Sequence, residues 1–152
     1  MINRLQDSML NFNAVANEIQ NKDNFENKIS FAFDFEAGDF VTADGAVKQL
    51  SGAEALSIWI QKILRTEKHK CEAYRDTEYG TGLETLVVGS RFSRDFVESE
   101  VKREITEALM KNNCIKAITN YNYEYKGDSH INISFDVESI YNTSREELII
   151  NA

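Results

Sequence analysis

Residues 65 to 86 read RTEKHKCEAYRDTEYGTGLETL, a run that mixes a histidine, a cysteine, many charges and two glycines. Each of these residue types can do chemistry. His69 and Cys71, with Cys114 and His130 elsewhere, are the side chains that could ligate zinc, but His-Lys-Cys is not a recurrent ligand spacing and the other two stand alone. As a thiol nucleophile and its base, His69 and Cys71 are badly spaced, since side chains two apart point oppositely on a strand and do not share a helix face. Gly80 and Gly82 follow no strand of a βαβ unit and precede no Lys-Ser/Thr pair, so they do not form a phosphate cradle. Glu36 and Asp39 are an acid pair in a chain with 25 carboxylates, where proximity alone does not signal a glycosidase. The stretch DFEAGDFVTADG is rich in acids but lacks the residue order of a calcium loop. No cofactor or metal is expected: the histidines read as surface, the cysteines as half-buried and the acid pair as solvated turn residues.

The elements around them are legible from periodicity. Leu5, Met9, Phe12, Ala16 and Ile19 recur at helical spacing, so residues 3 to 20 predict an amphipathic helix, separated by the polar run NKDNFENK from the next apolar stretch. Residues 1–27 read as a helical arm and 28–152 as the domain. Ile29, Phe31, Phe33 and Phe35 alternate, which predicts a strand with four large apolar side chains on one face that must be covered. Ala37-Gly38 and Asp44-Gly45 mark turns on either side of a short second strand. Ser51 and Glu54 match a capping box, opening a helix whose apolar face is Leu56, Trp59, Ile60, Ile63 and Leu64. Ser93 caps a second long helix with the stripe Val97, Val101, Ile105, Ala108 and Leu109, and Asn112-Asn113 is its stop because asparagine tolerates the left-handed conformation.

After residue 113 the period changes to two. CIKAITNYNYEY and HINISFDVESIY predict a hairpin across KGDS, with Ile131, Ile133, Phe135 and Val137 on one face, and ELIINA is either a short strand or a free end. The order predicts an α+β fold, a two-layer domain in which a mainly antiparallel sheet packs against two long helices, plus the N-terminal amphipathic helix.

Composition narrows the partners. With 152 residues and 42% hydrophobic content the chain can bury a core of its own. A net charge of −8, with 17 bases interleaved among the acids, repels a phosphate backbone, so nucleic acid is not the expected partner. No run approaches the roughly 20 apolar residues of a spanning helix, and Met1 to Leu10 lacks the order of a signal peptide, which makes a cytoplasm without membrane association the expected place of synthesis. Two cysteines without a pairing pattern read as free thiols.

Five blocks, DFEAGDFV, AVKQLSGAEALSIWIQKILRTEK, EYGTGLETLVVG, VKREITEAL and ISFDVESIY, resemble in order and spacing the baseplate wedge family of contractile tails, the sheath initiators. They are most similar to its branch in PBSX-like defective phages and phage-tail-like bacteriocins, with a related component in type VI secretion. The family's Thr-Glu-Arg is matched by Thr66, Glu67 and Lys68, and its aromatic-Gly turn with leucines by Tyr79, Gly80, Leu83 and Leu86. Lys68 departs from the motif, since an ammonium cannot make the planar two-pronged contact of a guanidinium. A Glu-Pro-Arg segment of relatives is Asn112, Asn113 and Cys114 here.

The resemblance implies a structural part with no turnover, assembled in a bacterial host cytoplasm and present in sixfold copies in a phage or tailocin baseplate. Its implied partners are the tail sheath protein and larger baseplate wedge proteins. The sheath is expected to add strands to the sheet through main-chain hydrogen bonds, with Ile131, Ile133, Phe135 and Val137 in the platform. Thr66, Glu67, Lys68, Tyr79, Gly80, Leu83 and Leu86 form the implied wedge-docking corner, and Leu5, Met9, Phe12 and Ile19 would bring the arm to a wedge, tube or hub component. A lysozyme-like muralytic enzyme and a free-standing adaptor are the competing readings.

Overall fold

The structure is a computed structural model that describes residues 29–70, 72, 75–77, 79–87, 91–127 and 130–151. Leu5, Met9, Phe12 and Ile19 of the expected arm, and Cys71, lie outside the described residues.

Among the described residues, six two-residue strands come first: β1 (Ser30–Phe31), β2 (Phe33–Asp34), β3 (Asp39–Phe40), β4 (Thr42–Ala43), β5 (Ala46–Val47) and β6 (Gln49–Leu50). They pair antiparallel as β1 with β6, β2 with β3 and β4 with β5. Between these pairs, Ala32 N donates to Lys48 O, Val41 N to Ala32 O and Lys48 N to Val41 O, each at 2.9 Å, so three chain segments close on one another. The Asp34 carboxylate accepts from the amides of Glu36 and Ala37 and shapes the first turn. The second is the two-residue Asp44-Gly45 loop, both at positive φ as a primed hairpin turn requires.

Among the described residues the expected cover over the four-residue apolar face is incomplete. Ile29 and Phe31 are exposed and Phe33 and Phe35 half-buried, while the buried residue of this segment is Ala32, packed with Leu50 and Ala55. The meander turns Ala32 and Leu50 rather than its rings to the next helix, where they pack with Ala55 and Ile58.

That helix, α1 (Gly52–Arg65), begins where the sequence indicates but without the capping box: the Ser51 side chain makes no cap hydrogen bond. Gly52 enters at φ +59, which carries the chain into the helix from a left-handed residue and leaves the Ser51 hydroxyl outside the first turn. Leu56, Ile60, Ile63 and Leu64 are buried, and Trp59 packs partly buried against the core. After the short α2 (Leu83–Val87), α3 (Arg94–Leu109) is capped as expected, with Ser93 accepting from Phe96 N. All five stripe residues of α3 are buried. Its stop differs from expectation: Met110 closes the helix in right-handed geometry, and buried Asn112 works through its side chain, whose Oδ1 accepts from Cys114 N at 2.9 Å.

Three long antiparallel strands complete the chain: β7 (Ile115–Tyr125), β8 (His130–Ser139) and β9 (Thr143–Asn151), in the order β7-β8-β9. The final apolar run is neither short nor free. It is part of a nine-residue strand paired with β8 from Glu138↔Thr143 to His130↔Asn151. β7 is less regular, with register shifts at Ile115/Ala117 and Thr119/Asn122 and Asn120 at φ +54. Ile131, Ile133, Phe135 and Val137 of β8, with Leu148 and Ile150 of β9, join the stripes of α1 and α3 in one core. Burying each of the large ones contributes roughly 1.5–3 kcal/mol, so this contact is what holds the mixed helix and strand fold together.

Candidate protein-docking site

At the end of α1 the chain folds into a corner. Thr66 stops the helix, donating from Oγ1 to Lys62 O at 2.7 Å while its amide reaches back to Ile63 O. The chain then returns alongside itself: Thr81 N donates to Thr66 O at 2.8 Å and Lys68 N to Thr81 O at 2.9 Å, forming a parallel bridge between Glu67 and Thr81. Gly80 makes this possible. It lies buried at φ +107, and a Cβ there would stand 2.5 Å from Thr66 O.

Three residues not singled out by sequence fasten the corner. Thr81 is 1% exposed, with Oγ1 donating to Leu64 O. Glu104 of α3 accepts from Gly82 N at 3.1 Å, and Thr85 of α2 donates to Glu67 Oε1 at 2.8 Å. A threonine between two glycines is the signal that could have found Thr81, since a small hydroxyl suits a tight turn. Glu104 and Thr85 gave no sequence signal, being single polar residues on helix surfaces.

Of the seven expected corner residues, the structure brings Thr66, Glu67, Lys68 and Gly80 together and turns Leu83 into the core, where it is 2% exposed. Tyr79 packs partly buried on that core and Leu86 is half-buried. The ion pair Lys70–Glu84 at 3.4 Å spans the outside with both side chains largely exposed, and such pairs contribute about 0–1 kcal/mol. A groove lined by Leu64, Arg65, Glu67, Glu84, Ile149 and Asn151 runs from the corner to the end of β9.

The other expected group, Ile131, Ile133, Phe135 and Val137, sits in the middle strand of the sheet with all four side chains at most 1% exposed. Both hydrogen-bonding sides of β8 are taken by β7 and β9, so among the described residues the borders of this sheet belong to those two strands. β9 is the regular one. Ser139 N donates to Asn142 O, and hydrogen-bonded pairs recur every second residue in an antiparallel ladder. Ser144, Glu146, Leu148 and Ile150 therefore turn their backbone groups to β8, and Arg145, Glu147, Ile149 and Asn151 turn theirs outward. Glu147 O fits this, accepting from Gln61 Nε2 of α1 at 3.3 Å.

β9 also carries a buried acid that sequence patterning did not single out. Glu146 is 4% exposed and accepts from Ser57 Oγ at 3.2 Å, Gln61 Nε2 at 2.9 Å and Ser144 Oγ at 3.1 Å. Period two was the available signal, because Glu146 alternates with Ser144, Leu148 and Ile150 on the inward face. At the β7 border, the hydroxyl of Tyr123 donates to Glu98 O of α3 at 3.1 Å, and Tyr121 lies 3.0 Å from Thr106 Oγ1. Burial, with Tyr121 and Glu98 adjacent, pushes the Tyr123 phenol up to about 12.

The residues weighed for catalysis and metal binding are scattered. Cys114 is buried, His130 opens β8 exposed, and His69 stands at the corner with Nδ1 2.8 Å from Arg75 O. Glu36 and Asp39 are exposed around the first turn. Among the described residues no three His, Cys, Asp or Glu side chains converge to hold a metal ion.

Comparison with known proteins bears on this arrangement. A solved structure from Geobacter sulfurreducens, described as a "putative tail lysozyme", matches with a TM-score of 0.51 at 18% identity, covering 68% of this chain and 92% of that one. At that identity the likeness is one of fold alone. The phage-like element PBSX protein XkdS of Bacillus subtilis (strain 168) is 26% identical over 125 residues, 82% of this chain and 84% of the relative. The family model for the contractile injection system sheath initiator matches residues 29–142, from the first strand of the meander to the β8–β9 turn. The chain belongs to the contractile injection system sheath initiator family, and is a structural component of a contractile tail.

Proposed function

We propose that this protein is a baseplate wedge subunit that starts the sheath by accepting a strand from the first sheath ring along the outer border of β9. The single observation that carries the reading is that border itself. It is regular, and its outward amides at Arg145, Glu147, Ile149 and Asn151, with the outward carbonyls other than that of Glu147, which Gln61 holds, offer the main-chain pairing that strand addition uses. The β7 border is less suited, because bulges bend a strand away from a straight partner. In this reading Ile131, Ile133, Phe135 and Val137 serve the platform from its centre, anchoring the sheet on two long helices as a two-layer body. Main-chain recognition asks little of side chains, which suits a border carrying Arg145, Glu147 and Asn151.

The corner at Thr66, Glu67, Lys68, Tyr79, Gly80, Leu83 and Leu86 then faces the larger wedge proteins, its rigidity set by backbone bonds rather than by the exposed ion pair. Residues 1–27 act as an arm toward a wedge, tube or hub component, and residues 28–152 as the wedge domain. Six copies assemble in the host cytoplasm, and no covalent bond is made or broken.

Ile149→Pro tests the β9 border. Residue 149 is exposed and its amide faces outward, so proline removes a donor from the border without removing one from the β8–β9 ladder. The expected result is a subunit that melts close to wild type and enters tails that carry tubes but no sheath. Normal sheaths on tails that contain the folded variant would overturn strand addition at β9.

A further inference from the structure

The outward face of the β1–β6 meander is an apolar feature that the corner and the β9 border do not use. Phe31, Phe40 and Val47 are 45%, 48% and 40% exposed, and Ile29 beside them is 63% exposed. This is an ordered cluster. Phe33 and Phe40 are register partners with ring centroids 5.2 Å apart, and Phe35 lies edge-on to Phe33 at 5.0 Å. Contiguous apolar surface of this kind, with its rings pointing away from the domain's own core, marks an interaction surface.

Its rim says what kind of partner fits. Residues 29–50 contain Asp34, Glu36, Asp39 and Asp44 against Lys48 alone, four acids to one base. The amides of Ala37 and Glu36 lower the Asp34 carboxyl from its ordinary value, which favours its charged form. The rings already receive one cation: the Arg65 guanidinium lies over Phe35, 5.0 Å from the ring centre.

We propose that this aromatic face docks a second protein that presents apolar side chains ringed by lysine and arginine. A second copy of this chain fits poorly, since it would bring the same four carboxylates against their like. The chain's own residues 1–28 supply no basic rim either, with Arg4, Lys22 and Lys28 against Asp7, Glu18, Asp23 and Glu26, three bases to four acids. The partner is therefore a neighbour of different sequence. The inference rests on the proposed tail role for its readout.

The test uses the full chain in assembled tails, with Phe40→p-benzoylphenylalanine as a photo-crosslinker. The expected product joins position 40 to a Lys/Arg-rich segment of another tail protein. Alongside it, Phe31→Ser/Phe40→Ser and Glu36→Lys/Asp39→Lys, each with wild-type circular dichroism, should lose about tenfold or more in incorporation, the equivalent of one decade in affinity. Phe92→Ser, which removes a more exposed ring elsewhere, should incorporate as wild type. Crosslinks to residues 1–28 or to a second copy, or normal incorporation of both double variants, would overturn the inference and leave the tail role standing. Tails assembled without this chain would overturn both.

Discussion

Replacing Gly80 by alanine should break the corner, and the structure sets the size of the effect. At φ +107 an L residue pays roughly 1–2 kcal/mol in backbone strain. The added Cβ would also stand 2.5 Å from Thr66 O and 3.2 Å from Lys68 N, and both near atoms are backbone, which cannot swing aside. Relief requires the two strands of the Glu67–Thr81 bridge to separate, weakening two hydrogen bonds worth about 0.5–1.5 kcal/mol each. The expected loss is about 2–4 kcal/mol, a large share of a typical domain stability of about 5–15 kcal/mol. Gly38→Ala is the matched control. It too has positive φ, at +72, but a Cβ there meets nothing within 4 Å, so strain alone should cost about 1 kcal/mol. Urea unfolding of both variants, followed by tryptophan fluorescence of Trp59, reads the difference. Equal midpoints for Gly80→Ala and Gly38→Ala would refute the argument that close approach, rather than φ alone, demands glycine at residue 80.

Two further outcomes are expected from the sheet. Tyr123, raised to about 12 by burial and its neighbours, holds its proton more tightly folded than unfolded, so its contribution is complete below pH 10 and is lost as pH rises toward 12. Tyr123→Phe should therefore flatten the fall in stability between pH 10 and 12, and an unchanged slope in denaturant titrations would contradict this. Glu146→Ala leaves the half-buried donors of Ser57, Gln61 and Ser144 without their shared acceptor and should cost about 1–3 kcal/mol. Glu146→Gln, which keeps an acceptor oxygen, should recover part of that in thermal melts; equal losses would show that the charge matters more than the hydrogen bonds.

Much of the fold was legible because burial repeats with the period of the backbone. The stripes of α1 and α3, the Ser93 cap, the Asp44-Gly45 turn and the inward face of β8 all come from spacing and residue type. The corner was legible only in part. Thr66 through Lys68 and the turn at Gly80 stood out in sequence, yet what locks them is Thr81, Glu104 and Thr85, contributed by a turn and two other helices. Local sequence carries no record of a partner that is distant along the chain.

The alternation of large apolar residues from Ile29 to Phe35 was determined by sequence, but the side that would be covered was not. That choice came from the approach of the meander to α1, where Ala32 and Leu50 pack with Ala55. In the same way, sequence made residues 131 to 137 a strand, and only the docking of β9 beside it made that strand central and moved the open border to Arg145, Glu147, Ile149 and Asn151. Periodicity is a local property of the chain and assigns faces to an element. Neighbours, edges and what is left uncovered depend on how elements close against each other, and that is settled only when the whole chain packs.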